Sequence, residues 1–222
     1  MDVVFFDNHL LVVDKPAGLA TQPSIEGADS LEEQAKQWIK EKFCKPDAVF
    51  LHAVHRLDKP VSGLVLFART SKALSRLNAS MRAHQFKKTY VAIVEGIVSL
   101  DQGSLHHYLI HGEYKALIAT ATDPGAKLCE LDFKVLERFA EHTRIEIDLK
   151  TGRYHQIRAQ LSAIGHPIIA DMKYGARPRS LSQGQIALHQ GRMSFPHPIS
   201  QQEVVFSLEA PWNRQRSARF LE

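Results

Sequence analysis

The sequence predicts an α+β protein, a mixed and mainly antiparallel β-sheet with flanking helices. Three observations carry that expectation. Apolar runs stand hairpin distances apart, as at residues 3–6 and 10–13; strand-like runs outnumber helical ones; and only three stretches show a convincing helical period.

Along the chain, Asp7-Asn8-His9 supplies the polar turn of the first hairpin, and Asp14-Lys15-Pro16-Ala17-Gly18-Leu19 leaves its second strand through turn residues. Ser30-Leu31-Glu32-Glu33 is a capping box, and Leu31, Ala35, Trp38, Ile39 and Phe43 follow at helical spacing, so one amphipathic helix is expected, ended by Lys45-Pro46-Asp47. Residues 64–68 are five consecutive apolar residues, the pattern of a strand buried on both faces. Thr70 or Ser71 caps a second helix with Leu74, Leu77 and Met81 on one side, while Arg76, Arg82, Lys87 and Lys88 leave its far side and exit positive. Such a face is either simply solvated or a track for a phosphate backbone.

Residues 87–96 are β-branched and apolar on both parities, as in a central strand. Residues 99–127 have weak periodicity and read only as hairpins and loops. Residues 128–136 and 143–149 read as strands, the second with Ile145, Ile147 and Leu149 alternating with Arg144, Glu146 and Asp148. Thr151-Gly152-Arg153-Tyr154-His155-Gln156-Ile157-Arg158 then opens a third helix, with Ile157, Leu161 and Ile164 on its core side and Gly165 at its end. His155, Arg158 and Ser162 share another face, expected to point off the core and to suit an anion or a carboxylate.

Composition narrows the function. Lys plus Arg exceed Asp plus Glu, 28 against 24, with 12 His besides, a mild bias towards a polyanionic partner. Cys44 and Cys129 form neither a CxxC pair nor a disulfide framework, which fits a reducing compartment and gives no reason to expect a metal. The N-terminus lacks a signal-peptide pattern and no apolar run has the length of a membrane span, so a cytoplasmic protein with no membrane partner is expected.

The loop before the buried strand is the densest in chemistry. In Ala53-Val54-His55-Arg56-Leu57-Asp58-Lys59-Pro60-Val61-Ser62-Gly63, extended backbone would point Arg56 and Asp58 to the same side. Pro60 constrains the path and Gly63 allows a turn or a close backbone approach. A solvated Arg–Asp pair is one account of these residues, although loops held by a rigid strand are also where chemistry usually sits.

HRLDKPVSGLVLFA resembles the HRLDxxTSG signature of the RluA-type pseudouridine synthases, with Val61 where Thr is usual. Other stretches are similar to further motifs of that family, in order along the chain: VVDKPAGL; the strand containing Tyr90, against KxYxAxVxG; TGRYHQIRAQ, against TGRxHQIRxH; GHPIIADMKYG, against GHPIxGDxxYG; and residues 186–198, against its closing strand. Tyr154 for Thr or Ser and Ala159-Gln160 for Val-His are departures that bear on substrate choice more than on chemistry, and Ala170 stands where Gly is usual.

The resemblance implies a pseudouridine synthase fold with the loop lying in a central cleft. It implies an isomerase that needs no cofactor, with Asp58 as catalytic residue, Tyr90 against the target base and Arg158 paired with Asp58. Arg56, His55, Lys88, Arg153 and His155 become candidates for contacting the substrate, a structured ribosomal or transfer RNA. The whole of 1–222 is expected to be one catalytic domain without the separate N-terminal RNA-binding domain of many relatives, acting as a monomer. Two other classes compete. A non-catalytic RNA-binding protein would explain the charge but not an Asp beside Arg56, and a hydrolase using His55 and Asp58 lacks a nucleophile elbow or HExxH pattern.

Overall fold

The computed structural model describes residues 1–23, 29–44, 46–179, 181 and 184–214. Its elements, in chain order, are β1 (Asp2–Phe6), β2 (Leu10–Lys15), α1 (Leu31–Phe43), β3 (His52–Ala53), β4 (Ser62–Ala68), α2 (Ser71–Arg82), β5 (Lys87–Glu95), β6 (Gln102–His111), β7 (Ala116–Ala119), β8 (Lys127–Arg138), β9 (His142–Leu149), α3 (Gln156–Ala163), a 3₁₀ turn (Met172–Tyr174), β10 (Leu188–Pro196), β11 (Glu203–Ser207) and α4 (Pro211–Arg214). Strands dominate and pair mostly antiparallel, as the sequence predicts. The chain forms two compact units, residues 1–86 with 190–222, and residues 87–189.

In the first unit β1 and β2 make the expected hairpin, its turn closed by Asp7 Oδ1 accepting from the backbone N–H groups of His9 and Leu10 at 2.7 Å each. β2 pairs with β4 from Leu10 opposite Ala68 to Lys15 opposite Gly63. Every residue of β4 is buried, which accounts for its unbroken apolar run. On one face Leu10, Val12, Leu64 and Leu66 join Ala73 and Leu77 of α2 and Met193 and Phe195 of β10 in a core, where the rings of Phe86 and Phe195 stack 4.7 Å apart.

Both helices of this unit start where their sequences say. Ser30 accepts from Glu33 N, although the Glu33 side chain goes to Lys36, so half of the capping box forms. Thr70 rather than Ser71 caps α2. Cys44 closes α1 in the left-handed conformation; Lys45, expected among the residues that end it, lies outside the described residues.

The second unit is an antiparallel sheet in the order β5-β9-β8-β6-β7. Ile145, Ile147 and Leu149 of β9 are buried as their alternation requires. The ten-residue β6 and its hairpin with β7 fill the stretch where the sequence gives no period. Over its first six residues β6 alternates between exposed and only partly buried positions, and Leu109 alone is fully buried, so burial imposed no apolar alternation on its sequence.

Candidate active site

Asp58 stands on a loop whose backbone is tied at nearly every step. Val54 N donates to Leu66 O at 2.9 Å, and Leu66 N donates to Nε2 of His55 at 3.2 Å, so the imidazole extends the edge of β4 in place of a carbonyl. His55, a candidate for the substrate, is thereby engaged in building the loop. Leu57 is buried, and Thr21 holds its peptide on both sides, donating through Oγ1 to Leu57 O at 2.9 Å and accepting from Leu57 N at 3.1 Å. With Leu57 turned inward, its neighbours Arg56, exposed, and Asp58, half-buried, stand at alternate positions. Asp58 O accepts from Val61 N at 3.0 Å, closing a turn over Lys59 and Pro60.

The loop's foundation is a residue that sequence reasoning passed over. Lys15 is fully buried, and its Nζ donates to the carbonyls of Pro16 (3.0 Å), Leu19 (2.6 Å) and Lys59 (3.2 Å). Lys59 O also accepts from Gly18 N at 2.8 Å, so the Asp14–Leu19 turn and the Asp58 turn are laced together. Burial pushes the Lys15 amine down to about 8, and the carboxylates of Asp58 and Asp14 offset part of that shift. The DKP motif was visible in the sequence, but a lysine in a turn is exposed by default. Nothing local foretold that Lys59, far along the chain, would help enclose it.

Gly63 follows the loop at φ +125, and a Cβ there would lie 2.4 Å from the carbonyl oxygen of Gln190 on β10. The close approach that glycine suggested is thus the backbone of β10.

In the second unit, Tyr90 sits in mid-strand opposite Ile147 and is 6% exposed. Lys88, two residues earlier, is half-buried; its Nζ lies 3.6 Å from where a Gly152 side chain would begin, and burial holds its pKa below the usual lysine range. Arg153, the next residue, is exposed. The Lys88 amine therefore lies at the turn before α3, beside Gly152, the residue that precedes Arg153. That turn is pinned by Gln156, whose Oε1 accepts from Thr151 Oγ1 (2.8 Å) and Arg153 N (3.0 Å) and whose Nε2 donates to Glu130 O (3.1 Å). Of the other basic candidates, Arg82 and Lys87 are exposed, and Arg76 donates to Pro198 O at 2.7 Å.

The expectation that His155, Arg158 and Ser162 point off the core is corrected. They share a face, but residues 171–174 cover it. Arg158, 4% exposed, pairs with Asp171 through Nε–Oδ2 at 2.7 Å and Nη2–Oδ1 at 2.8 Å. His155, at φ +52 and buried, meets the Tyr174 hydroxyl through Nδ1 at 3.0 Å, and Ser162 Oγ donates to Tyr174 O at 2.7 Å. The carboxylate the arginine was expected to attract includes one supplied by the chain itself, thirteen residues on.

Comparison with known proteins gives the class. The family model for RNA pseudouridylate synthase matches residues 9–163. The dual-specificity RNA pseudouridine synthase RluA of Pasteurella multocida is 34% identical over 93% of this chain and 92% of its own length. The ribosomal large subunit pseudouridine synthase C of Vibrio cholerae is 33% identical over 91% of this chain, which spans 63% of that protein. The solved structure of human RNA pseudouridylate synthase domain containing 4 superimposes with a TM-score of 0.79 at 21% identity, covering 95% of this chain and 88% of that one, a likeness of fold.

The chain belongs to the RNA pseudouridylate synthase family. Its class is that of an isomerase acting on RNA.

Proposed function

We propose that this chain isomerises uridines in a structured ribosomal or transfer RNA to pseudouridine, with Asp58 as the catalytic carboxylate. The observation that carries the assignment is the Asp58 loop: Thr21, His55, Lys15 and Gly18 all spend hydrogen bonds on fixing a backbone whose product is the placement of Arg56 and Asp58. Preorganisation of that kind is what a reacting group needs.

In the reaction the C1′–N1 glycosidic bond breaks, a C1′–C5 bond forms, C5 gives up a proton and N1 gains one, so neither cofactor nor outside nucleophile enters the balance. One carboxylate suffices, as nucleophile or as base on the sugar. The target must leave its stack at a cost of a few kcal/mol. Tyr90 offsets this by stacking on the extruded uracil, and Arg56 fills the vacated place or holds a phosphate. Arg158 serves the same reaction as a cation held in a fixed orientation. Lys88 and Arg153 hold the RNA backbone beside the turn before α3, where positive charge favours a phosphate. His155 supports that turn. The two units serve one catalytic activity, in a monomer acting in the cytoplasm.

Tritium release from C5-labelled uridine RNA tests the assignment. Asp58→Asn is nearly isosteric, yet an amide is neither basic nor nucleophilic enough, so release falls by at least about 10²–10⁴-fold. RNA affinity stays within several-fold, because phosphate contacts elsewhere carry it. Turnover at a tenth or more of the parent rate would remove Asp58 from the chemistry.

A further inference from the structure

Arg158 is held by more than one neighbour. Asp171 takes its Nε–Nη2 edge side-on in a two-point fork, with the side chains 5% and 1% exposed. The Tyr174 ring lies 5.1 Å from the guanidinium carbon, and the Tyr174 hydroxyl is itself fixed by Ala116 N at 2.8 Å and His155 Nδ1 at 3.0 Å. The carboxylate sets the direction of the guanidinium within its plane, and the ring restrains tilt out of it.

The segment bearing Asp171 is equally restrained. Ala170 adopts φ +67, Asp171 N donates to Ile168 O at 2.9 Å, and Asp171 O accepts from Tyr174 N at 2.9 Å and Ala176 N at 3.2 Å. A pair this deeply buried is a poor device for stability alone, since apolar residues of similar volume usually serve as well. Its distinctive product is a fixed orientation.

We infer that Asp171 is a positioning residue for the isomerisation, acting through Arg158 by locking its guanidinium in one orientation. The inference rests on the roles proposed above for Arg158 and Asp58. With its side chain 1% exposed, Asp171 acts through Arg158; its contribution lies in sparing the site a misplacement, and displacement of a catalytic group by about 1 Å costs on the order of 10²-fold in rate.

The test uses the full chain, single-turnover tritium release from C5-labelled RNA transcripts, RNA affinity and the thermal midpoint. D171N replaces one acceptor by a donor facing the guanidinium, so the rate is expected to fall about 10- to 100-fold with RNA affinity within threefold. R158K removes the fork. In the R158K background, D171N is expected to change the rate less than threefold, because the residue through which it acts is gone. A residue important only to the fold would show the same loss in both backgrounds, and that result overturns the inference. So does a folded D171N within twofold of the parent rate. Should D171N fail to fold, D171E carries the test: it keeps the charge, moves the carboxylate by one methylene, and is expected to lose at least about fivefold in rate with affinity unchanged; the parent rate in D171E overturns the inference. A parent chain that is folded but releases no tritium from any transcript overturns the proposed function, and this inference with it; an active parent indifferent to Asp171 overturns the inference alone.

Discussion

The Asp58 loop and the start of α3 are both rigid, but they are made rigid from different materials. The loop is held almost wholly through its own main chain: the carbonyls of Leu57 and Lys59 and the N–H groups of Leu57 and Val61 take the bonds. The start of α3 is held by side chains, with Gln156 pinning the turn and Asp171 and Tyr174 gripping Arg158 and His155. A backbone-held loop tolerates changes in its outward side chains, such as that of the exposed Lys59, but not in the buried Val61. A side-chain-held turn depends on the identity of each gripping residue.

That contrast makes Gly63 the most sensitive backbone position. At φ +125 a side chain is strained whatever the space, and a Cβ would also lie 2.4 Å from Gln190 O and 2.6 Å from Gln190 N. Neither is the end of a flexible side chain. Gly63→Ala is therefore expected to destabilise the protein by about 4 kcal/mol or more, from strain and overpacking together. Urea unfolding measures it, and a loss below about 1 kcal/mol would show that β4 and β10 can part without penalty.

Lys15 sharpens the comparison because it is a side chain spent on backbone. Lys15→Met keeps the volume and relieves the burial of a charge, but it strips a donor from three carbonyls, and the net loss is expected to be about 2–4 kcal/mol. The pH dependence identifies the cause. With a folded pKa of about 8 against an ordinary 10.5, the unfolded chain binds the extra proton between those values. The parent's stability therefore gains up to about 1.4 kcal/mol per unit as pH rises through that window, and nothing below it. The Met variant lacks this slope. Parallel stability curves for the two proteins from pH 8 to 10 would mean that burial does not lower the Lys15 pKa.

The same contrast explains what could be read from the sequence. β4, α1, α2 and β9 were legible because burial or capping imposes a local pattern, as in the unbroken apolar run at residues 64–68 and the Thr70 cap. β6 was not, since the inner face of strand Gln102–His111 is for the most part only partly buried and its sequence carries no apolar alternation. In the site, Asp58 and Arg158 were reached through motif resemblance, whereas Lys15 and Asp171 owe their roles to partners distant in sequence. The inward turn of Arg158 was missed because i, i+4 spacing says which residues share a face and not what covers it.

Positive φ gives the finest comparison between the two regions. Gly63 and Ala170 both have it, at +125 and +67. Only the second value lies in the left-handed region that an alanine can enter at modest cost, which is why a residue with a Cβ is tolerated before Asp171 although the family usually has Gly there. Ala170→Gly relieves about 1–2 kcal/mol of local strain, while the freer unfolded chain returns about 0.5–1 kcal/mol, so a net gain of about 0.5–1 kcal/mol is expected. Because the peptide geometry stays the same, the fork between Asp171 and Arg158 stays in place, and the rate of tritium release should remain within twofold. Urea midpoints and single-turnover rates measured on one preparation decide the matter. A stabilised but slower enzyme would mean that the alanine, through its strain, helps to aim Asp171; an unchanged midpoint would mean that the surrounding turn already compensates for the strain at position 170.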